Sequence, residues 1–81
     1  MIIGEVTGIL WATKKDDSLS GQKLMIVATD ENRIVVATDR IGAGIGDKVL
    51  ICFGHAAHSA AKSTVDAAIV GIIDSIETER Q

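Results

Sequence analysis

The sequence predicts a mainly β domain, a small five-stranded barrel with one short helix between the fourth and fifth strands. Three observations carry that expectation. Apolar residues recur with strand periodicity in five separate runs rich in Val, Ile and Thr. Polar and glycine-containing clusters, the usual turn formers, stand between most of them. Residues 55–63, between the fourth and fifth runs, are alanine-rich and suit one or two helical turns.

The first run, residues 2–13, carries two apolar stripes. Ile2, Gly4, Val6, Gly8, Leu10 and Ala12 fall on one face, and Ile3, Glu5, Thr7, Ile9, Trp11 and Thr13 on the other. Gly4 and Gly8 share a face, where a missing Cβ permits a bend or the close approach of another backbone. Ile9 and Trp11 make the second face too apolar for free solvent, so an outer-face contact with a partner is expected there. Residues 14–21 read as a polar loop. Residues 23–29 and 33–38 are the second and third strands, joined at Asp30-Glu31-Asn32 as a hairpin. Residues 39–46 form a glycine-punctuated loop, and residues 47–54 the fourth strand. A helix as short as residues 55–63 is marginal alone and has to dock on something. The last strand, residues 66–77, is apolar on both faces over residues 67–73, which predicts cover on both sides. The strand count suits the OB-like barrel type. The helix in that class more often follows the third strand, so a topological variant is expected.

Eighty-one residues form one domain, residues 1–81, with no room for a second core. A domain this small hides roughly 60–65% of its unfolded surface. Yet 47% of its residues are hydrophobic and the mean hydropathy is positive. The surplus apolar area points to an obligate subunit interface, which resembles a core cut in half. The longest apolar stretch is too short to span a membrane. No basic segment precedes an apolar one at the start, so no signal peptide is expected. The single cysteine cannot form an internal disulfide, which fits a reducing cytoplasm. A net charge of −3 with two aromatic residues, Trp11 and Phe53, argues against single-stranded nucleic acid, the alternative role for a small OB-like binding module.

Candidate chemistry is sparse. The loop Gly42-Ala43-Gly44-Ile45-Gly46-Asp47-Lys48 has phosphate-loop composition but leads into a strand, and its spacing matches neither nucleotide fingerprint. A tight turn is the better account. Cys52, His55 and His58, spaced three apart, are weak candidates for zinc because no fourth ligand is evident. The expectation is no metal and no cofactor. No serine, histidine or carboxylate stands in a context that would activate it, so no enzymatic activity is expected.

Three segments, read in order, resemble the bacterial microcompartment vertex proteins of carboxysome and ethanolamine-utilisation shells. Gly4-Glu5-Val6-Thr7-Gly8 with Ser18-Leu19-Ser20-Gly21-Gln22-Lys23-Leu24 is similar to that family's first strand and S-L-x-G-x-K-L segment. Residues 39–50 resemble its D-x-V-G-A-G-x-G-(D/E)-x-V-L loop and strand, and residues 65–74 its closing V-D-A-A-V-V-G-I-(I/V)-D strand. Two departures stand out. The stretch between the second and third strands shrinks to a tight hairpin. Gly54-His55-Ala56-Ala57-His58 replaces a G-S-S-A-R pattern, exchanging a permanent forked charge for a weaker, pH-sensitive one. The resemblance implies a homopentamer that caps the five-fold corners of a cytoplasmic shell and docks on hexameric shell proteins. A shell tiled by six-fold units needs twelve such corners to close. Ring or axis contacts are then expected from Ile69 and Ile73 on the last strand, from the loop Gly42, Ala43, Gly44, Ile45 and Gly46, and from the turn Gly54, His55, Ala56, Ala57 and His58.

Overall fold

A computed structural model of the chain describes residues 1–15, 17–54 and 66–79. The helix expected at residues 55–63, with the contacts expected at His55, Ala56, Ala57 and His58, lies outside the described residues. Five strands form in the expected order: β1 (Ile2–Leu10), β2 (Lys23–Thr29), β3 (Arg33–Asp39), β4 (Lys48–Phe53) and β5 (Ala67–Ile72). They close into a barrel with neighbours in the order β1-β2-β3-β5-β4. All pairings are antiparallel except β3 with β5, which meet in parallel at Thr38–Ala68 and Asp39–Ile69. The β2–β3 hairpin turns through Asp30–Asn32, with Asn32 at φ 59°, a left-handed position that asparagine tolerates better than most residues.

Period-two alternation turns one set of side chains inward. Val6, Met25, Val27, Ala37, Val49, Ile51, Ala67 and Ile69 fill the barrel, each almost completely buried. β-Branched residues dominate because they suit a pleated surface with tight neighbours. Gly4 also faces inward, paired with Thr29 on one side and Val49 on the other.

Two bulges break the simple alternation. In β1, Val6 pairs with Val27 and Gly8 with Ile26, leaving Thr7 as the extra residue. The Thr7 hydroxyl donates to the Ile26 carbonyl at 3.3 Å. One inserted residue flips the parity of everything beyond it. Ile9 therefore pairs with the buried Met25 and shares the barrel-facing side, while Leu10 pairs with Leu24 on the outside. Ile9 thus moves to the other side of the sheet from the one alternation gives it, at the open end of the barrel where it stays 37% exposed. The strand also stops at Leu10 and not at residue 13, so Trp11 leaves the sheet altogether and is 86% exposed.

In β5 the extra residue is Val70, between the pairs Ile51–Ile69 and Leu50–Gly71. Ala67 and Ile69 face the core before the bulge, and Ile72, opposite the buried Val49, takes that side afterwards but lies at the barrel end, 41% exposed. Much of the two-sided apolarity of residues 67–73 is thus one core-facing set that changes parity midway. Ile69 is 3% exposed inside its own barrel, which removes it from any subunit contact.

Candidate assembly surfaces

The glycine loop is built around Asp39, whose side chain is fully buried at the end of β3. Its Oδ1 accepts the backbone N–H groups of Ile41 (2.9 Å) and Gly42 (3.2 Å), and its Oδ2 that of Ala43 (2.9 Å). Lys23, at the start of β2, reaches the same carboxylate at 3.7 Å and donates to the Ala43 carbonyl at 3.2 Å. Asp47 repeats the device downstream, accepting the Gly44 N–H at 2.8 Å. The loop is tied to β1 by Gly46 N–H to the Val6 carbonyl (2.9 Å) and Val6 N–H to the Asp47 carbonyl (3.0 Å). Gly42 (φ 98°) and Gly46 (φ 96°) supply the left-handed turns that bring these amides together.

Such a cluster of amides resembles an anion cradle, but an internal carboxylate already occupies it. That is a physical reason, beyond the spacing, why the segment is no phosphate loop. The lysine contributes less than the amides because its side chain is 45% exposed and its ion pair is screened. Lys23→Met is expected to cost no more than about 1 kcal/mol, read as a shift in urea midpoint with unchanged slope.

Within this loop the structure separates the residues expected at a ring contact. Ala43 turns inward, 1% exposed, and belongs to the core cluster, so it is no interface residue. Gly44 is partly buried, while Gly42, Gly46 and especially Ile45, at 66%, are exposed. Gly54 follows β4, exposed and at φ 73°. Cys52 is a buried strand residue whose Sγ lies 3.9 Å from the Phe53 carbonyl oxygen. Its partners in the zinc candidate, His55 and His58, lie outside the described residues.

Among the described residues, two apolar surfaces remain on the outside of the barrel. The first spans β1, β2 and β3. Register rows set Leu10 beside Leu24, Ile26 beside Val36 and Ala28 beside Ile34, all on the outer side. Ile34 is 71% exposed, with Val36 and Leu10 also exposed. The second spans the start of β1 with β4 and β5. Ile3, Leu50 and Gly71 form one outer row, flanked by the exposed bulge residue Val70 and the half-buried Ile73. The sequence pointed to Ile9 and Ile69 where the outward residues are Leu10 and Val70. The signal that could have found them is the pair Thr7-Gly8 and the pair Val70-Gly71, where a glycine inside a strand marks a bulge.

Among the described residues, a closed barrel with apolar patches on two sides and an amide-rich loop satisfied internally has the features of a structural module and not of a ligand-binding one. Neither patch supplies the basic groove and aromatic platforms that single-stranded nucleic acid needs.

Residues 1–74 match the family model described as ethanolamine utilisation protein EutN/carboxysome. The microcompartment shell vertex protein GrpN of Rhodospirillum rubrum is 38% identical, over 96% of this chain and 98% of its own length. The structure of GrpN, a pentameric microcompartment shell protein, superposes with a TM-score of 0.87 at 40% identity, covering 99% of this chain and all of that one. The crystal structure of EutN from Escherichia coli gives a TM-score of 0.90 at 32% identity, over all of this chain and 93% of that one. The chain belongs to the EutN/CcmL family of microcompartment shell vertex proteins. GrpN and the Escherichia coli EutN are both microcompartment shell vertex proteins.

Proposed function

We propose that this chain closes into a homopentamer that caps the five-fold vertices of a bacterial microcompartment shell in the cytoplasm, with its rim against hexameric shell proteins. The observation that carries the reading is the presence of two different apolar patches on two sides of one closed barrel. Two unlike, mutually complementary patches make a head-to-tail contact, and such contacts close into rings when the rotation permits. A single self-complementary patch would give a two-fold dimer instead. The ring buries the surface that an 81-residue barrel cannot hide within itself.

On this reading the first patch, centred on Ile26, Ile34 and Val36, meets the second, centred on Ile3, Leu50 and Val70, on the next subunit. Ile73, Ile45, Gly42 and Gly46 stand at the margins of that contact or at the axis. Val36→Asp and Val70→Asp each place a charge in one patch and leave the barrel core untouched. Either variant alone is expected to raise the dissociation concentration at least thirtyfold, a loss of about 2 kcal/mol or more per contact. Mixed together, they are expected to form dimers but no rings, because the mixture retains one intact junction. Native mass spectrometry reads both results. A mixture that behaves like either variant alone contradicts the head-to-tail arrangement.

The shell role has its own test. Co-expression with a hexameric shell protein is expected to yield closed polyhedra, and the Val36→Asp variant only open sheets or tubes. Equal closure with and without functional rings would overturn the vertex assignment.

A further inference from the structure

We infer that the cleft beside Trp11 is filled by the C-terminal tail of a second copy of this chain, a contact that presupposes the ring proposed above. The cleft encloses about 400 Å³ where β1 ends and β2 begins, and its lining includes Ile9, Trp11, Ala12, Lys15, Lys23 and Leu24. Among the described residues its walls are mostly apolar, no carboxylate lines it, and its charged side chains are Lys15 and Lys23, the latter already turned to Asp39 and the Ala43 carbonyl. Trp11, the chain's single tryptophan, stands almost fully exposed there. Tryptophan is the residue type most enriched where interfaces concentrate their binding energy.

The backbone beside the cleft is also open. Pairing of β1 with β4 ends at Glu5–Lys48, and the loop amides close on Val6. Beyond that point β1 has no strand partner on its β4 side among the described residues. An extended segment can lie along such an edge.

The tail supplies the complementary chemistry. Residues 73–79 continue from β5 without regular secondary structure and carry Asp74, Glu77 and Glu79 with no cation. Ile76, among them, is 55% exposed. In an extended chain Ile76 and Glu77 point to opposite sides. One apolar anchor can therefore enter beside Trp11 while a carboxylate reaches Lys15 at the rim. None of the described residues 66–79 lines the cleft, so that stretch of the tail does not fold back into it.

The test uses the full chain with Lys15→Glu, Glu77→Lys, both together, and Ile76→Ser. Native mass spectrometry over a dilution series and Trp11 fluorescence are the readouts. The wild type is expected to shift its Trp11 emission to the blue on assembly. Each single charge reversal is expected to raise the dissociation concentration about tenfold, and the double reversal to restore much of the loss. Ile76→Ser rings are expected to keep Trp11 emission at the position of the free subunit. Wild-type rings whose Trp11 emission stays at that position overturn the tail contact and leave the ring standing, as do single reversals without effect. A wild-type chain that stays monomeric overturns the ring itself, and the tail contact with it.

Discussion

Asp39→Ala is expected to lower the unfolding free energy by about 3–5 kcal/mol, the range for removing one partner from a buried charged network. The carboxylate is the acceptor for three consecutive backbone N–H groups, and its own side chain has no exposure to solvent. Without it the buried Ala43 amide is left with no acceptor in place, and Lys23 loses its ion-pair partner. Total stability of order 0.05–0.15 kcal/mol per residue leaves little in reserve for a chain of this length. Asp39→Asn keeps one acceptor oxygen and is expected to lose about half as much. Urea unfolding at fixed protomer concentration measures both, because assembly makes midpoints concentration-dependent. If alanine and asparagine cost equally little, the loop is held by its glycines and not by the carboxylate.

The second large effect is steric. A Cβ at Gly4 would lie 2.5 Å from Val27 Cγ1 and 2.9 Å from the Ala28 carbonyl oxygen. The second contact is backbone and cannot rotate away. Gly4→Ala is therefore expected to cost about 2–3 kcal/mol by overpacking the point where β1 crosses between β2 and β4. Gly8, four residues along the same strand, is the internal control. Its added Cβ would first meet Ile26 Cδ1 at an ordinary 3.5 Å. Gly8→Ala is expected to change stability by less than about 1 kcal/mol, with a gain from reduced unfolded-chain freedom offsetting any strain. Equal costs at the two glycines would contradict the close-approach account of Gly4.

These two sites also mark how far the sequence could be read. Five strands, the β2–β3 hairpin and a small barrel around one core follow from alternation and turn residues, which are local signals, whereas closure and the neighbour order β1-β2-β3-β5-β4 rest on long-range pairing. Gly4 and Gly8 both read as places for a bend or a close backbone approach on one face; only Gly4 makes the close approach, and the bulge at Thr7 puts Gly8 on the other side. What alternation could not reveal was its own interruption. A bulge adds one residue without changing composition, so Thr7 and Val70 inverted the faces that followed them. That is why Ile9 looked outward and Leu10 did not, whereas Ile69 precedes the Val70 bulge and lies in a stretch apolar on both faces, where alternation could not choose between it and Val70. The Asp39 clasp was hidden for a different reason. An aspartate before a glycine loop looks like any solvated turn residue, and only the fold turns its carboxylate back onto the amides of residues 41–43. Ala43 was assigned to the ring on the same loop and turns out to be core, because those hydrogen bonds rotate it inward. The excess of apolar surface, the most general signal, did survive translation into structure. It resides in two patches whose exact residues the bulges selected.

The central claim is that those patches belong together on neighbouring copies. Native mass spectrometry of the purified full chain at micromolar concentration tests it most directly. A dominant species of five copies of the 8.5 kDa chain is the predicted result. A folded monomer, or a two-fold dimer, at the same concentration would contradict it.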